Sequence, residues 1–452
     1  MNKNQERLKF FALFTLFFVY VILISRRSLG LDEIQAIQIS KENLSDIFQL
    51  LGYERHPIGW YLILKGVAVV SSFFGLSFLF VLKALQVCLL AITLSLIRKI
   101  SLSPGITLML LVSPSLIIVP GLLLRPYLSA NLLLIFAIMS FFRDRYARCL
   151  LILFFLCQLH VIYAILSFTI YLITFFKIKF RYILHQLLFL ASFAFSLITA
   201  WPNQDSVAHV EVASGAIGDL PKGVLLSIAP FLGILQPPIQ FVVSVFISIV
   251  ALYVFLNLAR SKKEVANILL CVVLTVTYSF TFLRGTQPWH LTFPIAAMVP
   301  ILGSVSSEIA KSVLLRLSVL LLLFCQVLSI TTGLSRHLIM DRTGGVDDFD
   351  KVYSIYCDGK SPIATNDHLA MFLSFKLERP IYNLELGAFQ SFIAWKVRDD
   401  SSKKPAQRVD LSQSCVFSHS QKLEDVARNV VFEIKYENNN PSIFKYWVLQ
   451  TR

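Results

Sequence analysis

The feature that most constrains this chain is a recurrence. Apolar runs of roughly bilayer length follow one another from residue 9 to residue 330, and short Lys/Arg clusters occupy the breaks. A membrane span must satisfy its own backbone, so such runs are helices. Eleven spans are expected, at 9–25, 77–97, 104–124, 127–142, 147–160, 161–176, 183–200, 238–258, 265–282, 291–307 and 313–330. Composition agrees, since 56% of the 452 residues are hydrophobic and 15% charged, against about 25% charged in soluble domains. An ordinary soluble enzyme, a disordered chain and a disulfide-stapled module are excluded.

The net charge of +14 belongs to the membrane part. Residues 331–452 hold 16 Lys/Arg against 15 Asp/Glu, whereas the first 330 hold 25 against 12. With eleven spans, sixteen basic residues share one side, in clusters such as Arg98-Lys99, Arg143 to Arg148, Lys177 to Arg181, Arg260 to Lys263 and Lys311 to Arg316. The positive-inside rule makes that side cytoplasmic. It puts the N-terminus inside and residues 331–452 outside; the expected location is the inner (plasma) membrane. Splitting 147–176 into two helices keeps Lys177 to Arg181 on the basic side. The first run precedes Arg26-Arg27 rather than a small-residue cleavage site, so it reads as an uncleaved span. The basic residues serve topology, and no nucleic-acid partner is expected.

Two outer segments exceed simple turns. In 26–76, the spacing of Ile34, Ile37, Leu44, Ile47, Phe48 and Leu51 is helical and suits helices lying on the bilayer surface. Residues 57–75 read as a juxtamembrane helix. The second segment, 201–237, is a candidate mobile loop. Domain one is thus 1–330, an all-α polytopic membrane domain. Domain two, 331–452, alternates strand-like runs (SPIAT, RPIYNL, CVFSH, VVFEIKY, KYWVLQ) with helix-like ones, a small extracytoplasmic α/β domain. Five cysteines lie in apolar runs; Cys357 and Cys415 lie in the second domain and pair only if that side is oxidising and their geometry allows it. No CxxC or HExxH occurs.

No acid falls in mid-span, which counts against a proton-coupled pump. Glu6, Asp144, Glu264 and Glu308 sit among cytoplasmic basic residues; the other eight acids of the first 330 residues are outside. Asp32-Glu33 follows the first span at a helix start. Its bland reading is a pair favoured by the helix dipole. Adjacent helical residues point about 100° apart, so only one of the two faces a given site.

Asp32-Glu33 just past the first span is followed by His56-Pro57-Ile58-Gly59-Trp60-Tyr61-Leu62. This pattern resembles the GT-C superfamily of membrane glycosyltransferases, in the branch of protein O-mannosyltransferases and aminoarabinose transferases. Weaker matches are Arg125-Pro126-Tyr127, His160-Val161-Ile162-Tyr163 and the Arg284 to His290 stretch, RGTQPWH. It implies a sugar donor on polyprenyl phosphate and an extracytoplasmic glycan, lipid or protein acceptor. Asp32, with Glu33 beside it, is the implied catalytic acid pair, Asp32 taking the acceptor proton while the sugar carbon inverts. Arg125, Arg284 and His290 are the implied phosphate ligands; His56, Tyr61, Tyr127 and His160 bind substrate. Some relatives carry a second acid before the position of Arg125, where this chain has Leu124, so neither metal nor other cofactor is expected.

Each residue also has a plainer reading. Arg125, Lys65 and Lys83 suit snorkelling to an interface. His56 suits helix capping before Pro57, and His160 a satisfied turn. His290 beside Trp289 suits an interfacial aromatic belt. Asp205, Glu211 and Asp219 suit a solvated loop. Two other functions stay open: a transporter or flippase of lipid-linked sugars, which needs no base, and a non-catalytic scaffold.

Overall fold

The computed structural model of the protein describes residues 3–26, 29–54, 56–100, 102–201, 236–282, 292–328, 353–355, 357–384, 386, 388–391, 393, 414–418, 432–437 and 447–451. The chain divides into two compact units. One holds 1–25, 54–204 and 208–335; the other holds 26–53, 205–207 and 336–452.

The first unit is helical. Its described elements are α1 (Lys3–Arg26), α4 (Gly59–Phe74), α5 (Phe78–Lys99), α6 (Pro104–Leu111), a π turn (Pro114–Ile118), α7 (Val119–Leu122), α8 (Tyr127–Phe142) and α9 (Tyr146–Leu156). There follow α10 (Val161–Ile178), α11 (Ile183–Ala200), α12 (Pro237–Ser261), α13 (Lys263–Phe282), α14 (Phe293–Ser304), α15 (Ser306–Lys311) and α16 (Val313–Leu328). Helix starts follow local chemistry. The Ser77 hydroxyl accepts the Phe80 N–H at 3.2 Å and starts α5. Ser103, followed by Pro104 at the first helical position, starts α6.

Four helices among the described residues, α5, α10, α11 and α12, are long and apolar enough to cross a bilayer; a fifth counts if α6 and α7 form one bent span. Their outward side chains are apolar: Phe80, Phe176, Ile198 and Phe241 are each mostly exposed. Such a surface marks a membrane protein.

The expected continuous span 104–124 is broken, bending by 49°. Pro114 and Pro120 lack N–H groups, so the helical ladder loses bonds there. Helix α7 then ends at Leu122, and α5 holds carbonyls that this end leaves without helical partners. The Gln86 amide on α5 donates to the carbonyls of Pro120 (2.6 Å), Leu123 (3.0 Å) and Gly121 (3.2 Å). Ser115 donates to Gln326 Oε1 on α16 at 2.7 Å. The chain between 147 and 176 forms two helices, parted at Cys157 to His160.

Contacts gather the basic clusters at one end of this unit. Lys177 at the end of α10 pairs with Glu264 at the start of α13 (2.9 Å) and lies 5.0 Å from the Phe141 ring at the end of α8. Lys262 donates to the Ser304 carbonyl at 2.5 Å. A Cβ on Gly303 would stand 2.5 Å from Ile100 Cγ2, so α14 and the end of α5 meet closely here.

The second unit holds α2 (Leu31–Lys41), most of α3 (Leu44–Glu54), α17 (Asp367–Leu377) and strands β1 (Ser361–Ala364), β2 (Ile381–Asn383), β3 (Ala388–Gln390), β4 (Ser414–Ser418), β5 (Phe432–Glu437) and β6 (Trp447–Thr451). The six strands form one sheet in the order β3-β2-β1-β4-β6-β5. β1 is central and parallel to both β2 and β4; the remaining pairs are antiparallel. Helix α17 connects β1 to β2, as a parallel pair requires. Cys357 and Cys415 are disulfide-bonded with their Cα atoms 5.4 Å apart.

This division differs from the expected one. Residues 26–53 group with the C-terminal sheet instead of with the helices. The apolar face of α2, expected on the bilayer surface, packs on α17. All of Glu33 to Ser40 is buried. The Gln35 amide pairs with both backbone groups of Ile393, donating to its carbonyl at 2.6 Å and accepting its N–H at 2.8 Å. Gln38 donates to Ser374 at 3.2 Å. A lipid surface offers no such paired backbone partner, which is why polar Gln35 and Gln38 interleave the apolar residues of this helix.

Candidate functional site

The end of the first unit opposite the basic clusters carries a polar aromatic cluster. Helix α10 links the two: His160 begins it, Lys177 lies in its last turn, and its 18 residues span about 27 Å. His160 Nδ1 accepts the Ile162 N–H at 3.3 Å, so the helix start fixes the ring. With Nδ1 accepting, a neutral imidazole carries its proton on Nε2. Around His160 stand His56 (ring centroids 4.9 Å apart), Tyr127 (5.5 Å) and Tyr163 (6.3 Å).

The cluster continues inward. Tyr163 donates to Asn131 Oδ1 at 2.5 Å. Thr292, just before α14, brings its hydroxyl within 3.0 Å of Tyr163 and 3.4 Å of Asn131 Oδ1. All three are essentially buried. Asn131 Nδ2 and the Trp60 indole N–H are also buried, with no acceptor among the described residues. Two such donors suit an oxygen-rich ligand.

An apolar groove of about 690 Å³ adjoins the turn before His160, walled by Ile58, Leu62, Leu132, Phe155 and Phe195. Gln158 lies in its wall and donates to the Ser192 carbonyl (2.6 Å) and hydroxyl (2.9 Å). Those donations fix the amide orientation and leave Gln158 Oε1 buried without a donor among the described residues. Gly59 makes the packing possible. Its N–H donates to the Gln158 carbonyl at 2.9 Å, and a Cβ there would stand 2.5 Å from that oxygen.

The structure therefore brings His56, Tyr127 and His160 together. Tyr61 is buried on α4. Arg125, half-buried, sits in the unwound stretch between α7 and α8, beyond the carbonyls that Gln86 holds. Arg284, His290 and most of 201–237 lie outside the described residues. Asp32 and Glu33 belong to the second unit. They divide as adjacent helical residues should: Asp32 is exposed, whereas Glu33 turns back so that Oε2 accepts the Gly30 N–H at 2.5 Å. Glu33 is thus a helix-start residue, and only Asp32 presents a carboxylate outward.

Sequence reasoning missed Asn131 and Thr292. Asn131 carried a usable signal, as an amide inside an otherwise apolar span; Thr292 carried none. Among the described residues, no group of three or more His, Cys, Asp or Glu is arranged to hold a metal. No protein-family model matches the chain, and no curated protein sequence matches it.

Proposed function

We propose that this protein is a multi-pass membrane glycosyltransferase that moves a sugar from polyprenyl phosphate to an acceptor outside the cytoplasm. The observation that carries the reading is the cluster of His56, Tyr127, His160, Tyr163 and Asn131, at the bundle end opposite the basic clusters and beside an apolar groove. By the positive-inside rule the basic end is cytoplasmic and the histidine end is not. The groove has the size of a lipid-chain site, and the buried Asn131 amide N–H within the cluster suits a sugar or phosphate oxygen. The Cys357–Cys415 disulfide fits an oxidising compartment for the second unit. Eleven crossings with the N-terminus inside satisfy both.

In this mechanism Asp32, assigned by the sequence resemblance alone, removes the acceptor hydroxyl proton. The oxygen attacks the anomeric carbon, the carbon–oxygen bond to phosphate breaks with inversion, and the departing polyprenyl phosphate keeps the electron pair. Arg125, Arg284 and His290 meet that charge; guanidinium groups suit paired phosphate oxygens. His160, its Nδ1 committed to the helix start, presents Nε2–H as a neutral donor.

The test is transfer from a radiolabelled polyprenyl-phosphate sugar by the purified full chain. Asp32→Asn is expected to lower turnover about 10²–10⁴-fold, the usual worth of a general base, with donor binding retained. Unchanged transfer by that variant, or no donor binding by the wild type, refutes the reading.

A further inference from the structure

The basic end holds a second pocket, unrelated to the histidine cluster. It has a volume of about 290 Å³ and lies between the start of α6 and the α15–α16 turn. Ile106 and Ile309 form an apolar floor, both buried. Ser103, Ser306, Ser307 and Arg316 supply its polar wall. Arg316 is half-buried and has no ion pair among the described residues. A guanidinium held in a cavity without a carboxylate is a ready partner for a planar pair of oxygens.

The surroundings are cationic. Lys262 reaches the Ser304 carbonyl and Lys311 ends α15. One acid is near: Glu308, which accepts the Ser307 hydroxyl at 2.7 Å. That hydroxyl, with the Glu308 backbone and then Lys262 and Lys311, holds the carboxyl below its usual range. Glu308 is thus ionised and offsets one of the cations, while Arg316 remains uncompensated. Ser307 is committed to Glu308, which leaves Ser103 and Ser306 beside Arg316 as hydroxyl donors.

We propose that this pocket binds a phosphate group, carried by an anionic glycerophospholipid of the leaflet that meets the basic end. The phosphate would take Arg316 and the serine hydroxyls, and the apolar floor would take the start of the acyl chains. Basic pockets between helices at a cytoplasmic surface recognise lipid headgroups in this manner.

The test uses the full chain in phosphatidylcholine nanodiscs with and without phosphatidylglycerol. Tightly retained lipid is counted by native mass spectrometry, and Tm is followed. Phosphatidylglycerol is expected to be retained and to raise Tm. Arg316→Gln is expected to weaken that retention about tenfold, the worth of one charge-assisted hydrogen bond, with Tm in pure phosphatidylcholine unchanged. Arg316→Lys, which keeps charge but loses the fork, is expected to lie between them. Equal loss in Lys99→Gln would reduce the effect to diffuse surface charge and overturn the site. Retention unaffected by Arg316→Gln overturns it as well. An equal Tm rise from inorganic phosphate in phosphatidylcholine discs overturns the lipid as the source of the phosphate.

Discussion

At position 59 the absence of a side chain is a packing requirement. The Gly59 N–H must reach the Gln158 carbonyl, and any Cβ would collide with that same oxygen. Gly59→Ala is therefore expected to cost about 1–3 kcal/mol through forced displacement, read as a lower Tm of the purified protein. Because α4 and the turn before His160 would part, the proposed donor binding should weaken with it. At position 264 the effect is electrostatic and small. Lys177, bonded to Glu264, together with the glutamate's own backbone, lowers its carboxyl from the ordinary 4.5. A lowered folded-state value stabilises the protein above the ordinary carboxylate range, and the benefit fades as pH falls through the folded value. Both partners are partly exposed, so solvent screening limits the pair to less than about 1 kcal/mol. Glu264→Gln should narrow the acid-side loss of Tm slightly, and added salt should do the same in wild type.

Helix α5 supports the broken stretch beside it. One amide, from Gln86, serves three carbonyls that the end of α7 leaves without helical partners in the interior. Gln86→Leu keeps the apolar volume and removes every donor. Stranded buried carbonyls cost about 1–3 kcal/mol, so Tm should fall; under the proposed mechanism Arg125, which follows that stretch, should then hold donor phosphate less well in the transfer assay. How far such elements could be read from the chain depended on the kind of physics involved. Apolar length and basic breaks located most helices, including the parting near His160, because hydrophobicity and charge are local. Period-two runs such as SPIAT and CVFSH located β1 and β4 for the same reason. The break in 104–124 had a local sign in Pro114 and Pro120 that apolar length masked, whereas its support, from Gln86 and Gln326 on other helices, was not legible. Nor was the docking of α2: its apolar spacing suits a lipid surface and a protein surface equally, and only the Gln35–Ile393 pairing decides. In the candidate site, His56, Tyr127 and His160 were legible as polar residues at helix starts, whereas Thr292 gains meaning only beside Tyr163.

For the molecule as a whole, segregation of charge is the strongest organising fact. Cationic turns gather at one end of the helical unit and the histidines stand at the other, joined by α10. Thiol-accessibility mapping in intact cells should find cysteines introduced near residue 180 protected from impermeant reagents and those near residue 340 labelled. The reverse result would invert the proposed topology. The disulfide gives a separate reading of the second unit. It closes a separation of 58 residues, and Cys415→Ser should destabilise that unit by about 2–4 kcal/mol, visible as faster proteolysis there while the helical unit keeps its Tm.

Helix α17 has no solvent side: Leu369 to Ser374 are buried, with the sheet on one flank and α2 on the other. Gln35 and its partner Ile393 lie 358 positions apart. At ribosomal speeds of about 5–20 residues per second, α2 emerges roughly twenty seconds to a minute before its mate exists. Until then a newborn helix waits uncovered, a natural client for chaperones. A fragment starting at residue 336 would lack it altogether, and should precipitate unless a peptide of residues 26–53 is supplied in trans.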